Sequence, residues 1–446
     1  MSVIPLSGAT GLKPMQVIRR TIIVFLCSLL FSCNEDNSDT VLDSSSAFCS
    51  VPEQNRFVHE LLQDVYLWYQ DVLPQIDYAS FRSPQQTLDF LRADQDRFSS
   101  ITSAATFDSL FNEGQYLGYG FSVITEADGS ALLRFVYDDS PAGRAGLQRG
   151  DEILSVNNQS AQQISQAFAW SSIFGPDQEG YPVTMLVRKK DGSVIDIQLL
   201  KTLVNINTVL HNSIIQNGTE NIGYLVFNSF LATSSAELES AFATFKAGGV
   251  NRLILDLRYN GGGSVPVAST LASYLHTNSS SDQLFARLQH NDKHRSRDSF
   301  YFFRSLVNQL ELQQLVVVTT EATCSASEMI VNGMKPYLNV MTVGSTTCGK
   351  PVGMNGYLFC DQLALPVSFA AYNSNNEGEY FEGIAANCPA QDEVSAAFGD
   401  EQEAMLSAAL YLSRNNSCQP LAARKSPVTS ALINADDYVR SVIGAY

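Results

Sequence analysis

EATCSASEMI, residues 321–330, lies between the apolar run LVVV (315–318) and an amphipathic run that opens at Glu328 and continues through Met329, Ile330 and Met334. A buried strand, a tight turn of small residues and then a helix is the local order of an α/β domain. Such a turn is also where a nucleophile can be exposed, because the helix N-terminus offers N–H donors and positive potential to a developing oxyanion. Thr323, Cys324, Ser325 and Ser327 all occupy it, and spacing alone does not choose among them.

Outward from this turn, strands and helices alternate from about residue 205. IGYLVFNSF (222–230) and RLILDL (252–257) read as strands, SAELESAFATFKAGG (235–249) and SVPVASTLASYLH (264–276) as helices, and QLVVVTT and NVMTVGS flank the helix led by Ser325. Residues 204–420 are therefore expected to form an α/β domain. The polar segment 276–299 reads as a loop or lid, and the tail 421–446 has no assignment. Upstream, 113–203 changes to short alternating runs (YGFSVI, ALLRFVY, DEILSVNN, VTMLVRKK, VIDIQLL) separated by Gly, Asp and Pro, which predicts a small mainly-β domain. Residues 47–112 read as a small helical domain. There FVHELLQDVYLWYQDVL (57–73) puts Val58, Leu61, Leu62, Val65, Trp68 and Tyr69 on one helical stripe, and PQQTLDFLR (84–92) repeats the pattern. These aromatic residues are read as core.

A chain of 446 residues is long for a single core, which agrees with several domains. The formal charge is −17, and the first 32 residues hold only the cations Lys13, Arg19 and Arg20 and no acid, so the remainder carries −20. Such a surface repels phosphate backbones and argues against a nucleic-acid partner. Arg19 and Arg20 precede TIIVFLCSLLF (21–31), too short to span a bilayer but right for a signal-peptide core. LFSC then resembles a bacterial lipobox, with Cys33 as the lipidated first residue of the mature chain; a plain secretory signal or an uncleaved anchor is the alternative. Met15 can serve as the start, since MQVIRR alone supplies the charged region. Residues 1–33 are thus read as a lipoprotein signal, and 34–46 as a polar, acidic tether. Without Cys27 and Cys33, six cysteines remain: Cys49, Cys324, Cys348, Cys360, Cys388 and Cys418. In an exported protein they predict disulfides of undetermined pairing, and no C-x-x-C spacing suggests a metal.

Two motifs in the β region carry a resemblance. YLGYGF (116–121) looks like the carboxylate-binding loop of a PDZ domain, and SPAGRAGLQRGDEILSVNNQS (140–160) is similar to that module's helix, Gly turn and strand. The resemblance implies that Leu117, Gly118, Tyr119, Gly120 and Phe121 bind a peptide end, the glycines letting backbone N–H groups converge while the peptide adds as a strand. An ordinary small β-domain whose glycines are only turns is the alternative.

TCSASE, preceded by LILDLRYNGGG and followed by VGSTTCGKPVG, resembles the C-terminal processing (tail-specific) serine peptidases over about residues 110 to 390. The fold this implies is α/β: a crotonase-like protease core with an inserted mainly-β PDZ domain and a small helical N-terminal domain. The resemblance assigns Ser325 as nucleophile, Lys350 as general base, and the N–H groups of Gly262 or Gly263 and of Ala326 as the oxyanion hole, with no metal or cofactor. A lysine near its ordinary pKa of ~10.4 is protonated at neutral pH, so this role requires Lys350 to be desolvated. Its neighbours Val343, Gly344, Pro351, Val352 and Gly353 are apolar or small, which suits a lowered pKa; a solvated turn lysine is the alternative. A phosphate loop at RYNGGG is rejected because no Gly-Lys-Ser/Thr or G-x-G-x-x-G spacing follows.

Three positions depart from the family pattern. Met354 stands where many members carry a Gln that orients the amine, Asn-Gly-Gly-Gly replaces Asn-Pro-Gly-Gly, and Cys324 replaces a small residue beside the nucleophile. His59, His211, His276, His290 and His294 sit in no recognisable triad string. The expectation is a lipid-anchored serine endopeptidase of the bacterial envelope, on the outer membrane facing the periplasm, acting on protein or peptide substrates. Its rivals are a catalytically weak PDZ peptide-binding lipoprotein and a Ser/His hydrolase.

Overall fold

Valines and leucines that read as continuous apolar runs belong where a strand is covered on both faces, and that is where a computed structural model places them. It describes residues 49–420 and 446, apart from 127, 219, 277–281 and 395. The signal segment, Cys33, the tether and most of the 421–446 tail lie outside the described residues. The central sheet runs Val209–Asn217, Glu220–Phe227, Val250–Asp256, Gln314–Thr319, Val340–Gly344, Cys388–Pro389; the first pair is antiparallel and the rest are parallel. Helices Ser234–Ala247, Val265–Leu275 and Ala326–Met334 cover one face, and Ala404–Asn415 covers the other through Met405, Leu406, Ala409 and Leu412. Leu315 to Val318 are accordingly all buried.

An antiparallel sheet of Ser299–Phe302, Leu284–His290, Val367–Tyr372 and Val352–Met354 packs beside this core. It corrects the reading of 276–299 as a loop or lid: strand Leu284–His290 and a 3-10 turn at Asp292–Arg297 fall within that span. Its polar residues mislead because the alternating strand buries only Phe285, Ala286, Leu288 and His290.

The first helix runs Val51–Val65, short of the expected 73. Tyr66 turns extended and the Leu67 N–H donates to the Val367 carbonyl at 2.9 Å, so a tertiary hydrogen bond takes the chain out of the helix before Trp68 and Tyr69. Strand Ser100–Ser103 pairs with Gln362–Leu365 and joins this helical region to the core, and the Cys49–Cys360 disulfide joins it again.

The mainly-β unit is a sheet in the order Phe121–Thr125, Ala131–Val136, Glu152–Val156, Pro182–Arg188, Val194–Leu200 around Leu133, Ile153, Ile164, Phe174 and Met185. Its entry and exit strands, Gln115–Gly118 and Thr202–Asn205, pair with each other, which is the geometry of an insertion. Strand Phe121–Thr125 is an edge, open to an added strand. Among the described residues no helix is long and apolar enough to cross a membrane.

Candidate active site

The turn after strand Gln314–Thr319 is held by commitments that separate its four reactive side chains. The Thr323 hydroxyl donates to the Leu257 carbonyl at 2.8 Å and accepts the Thr320 N–H at 2.9 Å, and the residue is fully buried. The Ser327 hydroxyl, also buried, donates to the Asn260 carbonyl at 3.0 Å. Cys324 is in a disulfide with Cys348. Ser325 is left lining a cleft of about 950 Å3, together with Lys350, Met354, Gly263 and Phe98. Its φ of 56° and ψ of −113° are unfavourable for a residue with a Cβ, and the surrounding bonds hold it there.

Glu328 supplies the main restraint. It sits three residues into the helix, fully buried, and one carboxylate oxygen accepts N–H groups from Ser325 at 2.9 Å and Lys350 at 2.8 Å. The other accepts from the Gly349 N–H at 2.8 Å and from the Thr347 hydroxyl. One side chain thus fixes the turn before the helix and the turn that carries the lysine, and the Cys324–Cys348 bridge ties the same two turns covalently. Burial pushes the Glu328 carboxyl pKa up, and these hydrogen bonds oppose the rise. Cys324, Glu328 and Cys348 lie within 4.8 Å of one another, a spacing suited to a metal, but both sulfurs are bonded to each other. The Ser-x-x-Glu spacing at 325–328 is a capping signature that sequence reasoning had available and did not use.

Lys350 is 8% exposed, and burial lowers its pKa to about 8 against the opposing fields of Asp96 and Glu328. Its Nζ lies 3.9 Å from the Met354 sulfur and 5.2 Å from the Phe98 ring centroid. Asp96 and Phe98 come from the helical region, to which the sequence reading gave no chemistry; no local pattern marks them. Of the five histidines none lines the cleft. His59 contacts Tyr78 and the Leu73 carbonyl, His290 contacts Asn355, and His294 contacts Asp64.

The glycine turn at 261–263 lies against the nucleophile. A Cβ on Gly262, whose φ is +103°, would stand 2.8 Å from the Ser325 Cβ and 3.0 Å from the Ala326 nitrogen. The Gly262 N–H is not available as an oxyanion donor, however, since it donates to Asn260 Oδ1 at 2.9 Å. That corrects the choice between Gly262 and Gly263. Among the described residues the N–H groups of Gly263 and Ala326 have no acceptor. The strand end before this turn is anchored by Arg258, fully buried between Asp256, Asp392 and Glu403, while Tyr259 meets Arg149 of the mainly-β unit at 3.0 Å.

In the loop at 117–121, Leu117 pairs with Leu203, and the N–H groups of Tyr119, Gly120 and Phe121 converge on one oxygen, the Tyr446 carbonyl, at 3.0, 2.8 and 3.3 Å.

Comparison with known proteins matches residues 221–389 to Peptidase family S41, 53–100 to the Peptidase S41 N-terminal domain and 135–170 to a PDZ domain. The chain is 28% identical to the carboxy-terminal processing protease CtpA of Bacillus subtilis (strain 168), over 65% of this chain and 59% of that one. It is 26% identical to the chloroplastic carboxyl-terminal-processing peptidase 2 of Arabidopsis thaliana, over 67% of this chain and 57% of that one. The match covers 49% of a CtpA-like serine protease of Staphylococcus epidermidis, so the chain spans about half the length of the curated relatives it matches. A crystal structure described as an S41 protease of Bacteroides fragilis NCTC 9343 superposes with a TM-score of 0.69 at 26% identity, over 81% of this chain and 97% of that one.

Proposed function

The chain belongs to peptidase family S41, with that family's N-terminal domain and a PDZ domain, and from that premise we propose that it is a serine endopeptidase cleaving proteins of the cell envelope through a Ser325/Lys350 dyad. The observation that carries this reading is the shared cleft: of the hydroxyls at 323, 325 and 327, the one that lines the cleft is Ser325, and it does so together with a buried lysine of lowered pKa. With a pKa of about 8, roughly one Lys350 in ten is neutral at pH 7, enough to act as a base. Neutral Lys350 takes the proton of Ser325 Oγ as that oxygen bonds to the scissile carbonyl carbon. The carbonyl oxygen, now negative, accepts the N–H groups of Gly263 and Ala326. Protonated Lys350 returns the proton to the departing amine, and water then hydrolyses the acyl-Ser325 ester by the same relay.

The PDZ unit captures a peptide end and adds it as a strand along Phe121–Thr125. Lipidation at Cys33 would hold the enzyme at the envelope membrane, with 34–46 as its tether; globomycin-sensitive processing that disappears in Cys33→Ala would support this, and unchanged processing would sink it. A catalytically weak binding protein is the second reading, favoured by Met354, whose thioether is a poor acceptor for the Lys350 amine.

A fluorophosphonate serine probe, applied to the chain without its first 33 residues, tests the dyad. Labelling is expected in the parent and is expected to vanish in Ser325→Ala and Lys350→Ala while both keep the parent's circular dichroism. A folded parent that takes no label, with or without peptide, leaves the binding-protein reading standing.

A further inference from the structure

One wall beside Lys350 comes from the helical N-terminal region, at residues 96–99. Asp96, 3% exposed, builds that turn from within. One of its carboxylate oxygens accepts the N–H groups of Phe98 and Ser99, both at 2.9 Å, and the other accepts the Tyr66 hydroxyl at 2.7 Å and the Ser99 hydroxyl. The turn is then fastened to the core. Arg97 Nη2 donates to the Cys348 carbonyl at 2.6 Å and to the Phe381 carbonyl at 3.2 Å, and the Ser99 hydroxyl accepts the Val367 N–H at 2.9 Å. Between these anchors the Phe98 ring centroid lies 5.2 Å from Lys350 Nζ.

We propose that Asp96 and Arg97 are positioning residues for the reaction at Ser325: Arg97 clamps the turn that carries Lys350, and Asp96 sets the Phe98 ring and its own charge against the amine. The proposal rests on the Ser325/Lys350 reading and extends it to the helical region. A base works only where it meets the nucleophile, and a misplacement of about 1 Å can cost on the order of a hundredfold. Glu328 and the Cys324–Cys348 bridge restrain residues 347–350 from the nucleophile's own turn and helix, and Arg97 adds a restraint from a different part of the chain. Charge matters as well as place. Burial disfavours the ammonium, and the carboxylates that oppose it are Asp96 on this turn and Glu328 on helix Ala326–Met334. Without that opposition the buried lysine would be a weaker base, and proton removal from Ser325 would slow. Burial keeps the Tyr380 hydroxyl of the same cleft neutral, and Asp89, Arg92, Arg134 and Glu321, which also line it, are common to every variant below.

The test reads the rate constant of fluorophosphonate labelling at Ser325 in the full chain against pH, for the parent, Arg97→Ala, Arg97→Lys, Phe98→Leu and Asp96→Asn. Arg97 is exposed and Phe98 half-buried, so their variants report even if circular dichroism shows Asp96→Asn unfolded. Arg97→Ala is expected to label about tenfold more slowly at every pH with the parent's inflection, and Arg97→Lys to recover part of the loss. Phe98→Leu and Asp96→Asn each remove a partner of the ammonium. Their inflections are expected below the parent's, which lies near pH 8, and their plateau rates about threefold to tenfold lower. A purely structural role would lower rates without moving the inflection. Arg97→Ala at the parent's rate, or an unmoved inflection in Phe98→Leu and in folded Asp96→Asn, overturns the proposal and leaves the peptidase reading intact. A parallel series in Ser325→Ala, reading acetylation of Lys350 by acetic anhydride, follows the amine without the nucleophile. A parent that takes no label, with an acetylation inflection that still moves in Phe98→Leu and Asp96→Asn, upholds this placement of Lys350 and defeats the peptidase reading.

Discussion

The cleft at Ser325 and the PDZ groove are built by opposite means. Around Ser325, side chains do the fixing: Glu328 holds two turns, a disulfide holds the same two, and Asn260 takes up the Gly262 N–H. In the groove the main chain does it, through three N–H groups of one loop and the edge of one strand. A site that must keep reacting atoms in one geometry gains from redundant restraints, whereas one that must accept exchangeable ends gains from contacts any backbone can make. Substitutions in the cleft should therefore change chemistry and leave peptide affinity alone.

Lys350→Met should give the largest effect. Peptidase activity is expected to fall by about a thousandfold or more, because the proposed mechanism gives Ser325 no other base. Stability at pH 7 should rise at the same time. The folded-state pKa of about 8 lies below the ordinary 10.5, so the unfolded chain binds more protons between those values and the lysine's penalty is in full force below pH 8. Removing it is worth up to about 3 kcal/mol in urea titrations at pH 7, and the gain should shrink as pH rises from 8 to 10.5. In the parent the rate should climb with pH to a plateau above about 8. A variant less stable at pH 7, or a parent rate independent of pH from 6 to 9, would show that the amine is not the base.

Glu328→Gln comes next, at about a hundredfold in kcat/KM. An amide NH2 must then face N–H groups that a carboxylate oxygen accepted, so one of the two turns shifts. The carboxylate also raises the Lys350 pKa, and its loss should move the inflection of the pH–rate profile lower. A fall in rate with no movement of the inflection would mean that Glu328 shapes the turns without influencing the base. The double variant Cys324→Ser, Cys348→Ser should lose about 3 kcal/mol from the loop it closes and about tenfold in rate, with peptide affinity, read by fluorescence anisotropy, unchanged. Lost peptide binding would break the contrast between the two regions.

The core was legible because buried parallel strands must be uniformly apolar, and LVVV and RLILDL cannot be much else. The small β unit was legible because glycines at 118 and 120 are sterically demanded by what approaches them. The end of the first helix was not, since the Leu67 to Val367 hydrogen bond has no local trace. The same holds for the disulfide partners, for Asp96 and Phe98 against Lys350, and for Tyr446 in the groove, all of which depend on segments far apart in the chain. Glu328 was legible in principle, three residues after Ser325, but a capping box predicts only a helix start, and its reach to Gly349 and Lys350 depends on the next turn.

The smallest expected effect bears on what orients the amine. Met354 presents a thioether 3.9 Å from Lys350 Nζ, a weak acceptor, while Phe98 offers a ring face that attracts the ammonium form. The amide oxygen of Met354→Gln would accept an N–H from either protonation state and leave the lone pair free, so kcat/KM on the high-pH plateau should rise about threefold to tenfold, with peptide affinity unaltered. The ammonium is also a better donor than the amine, so the pH–rate inflection should move slightly upward. An unchanged plateau would mean that the packed walls of Phe98 and the lysine's own buried stem already set the amine's direction; a faster rate would identify Met354 as the point where this cleft gives up rate.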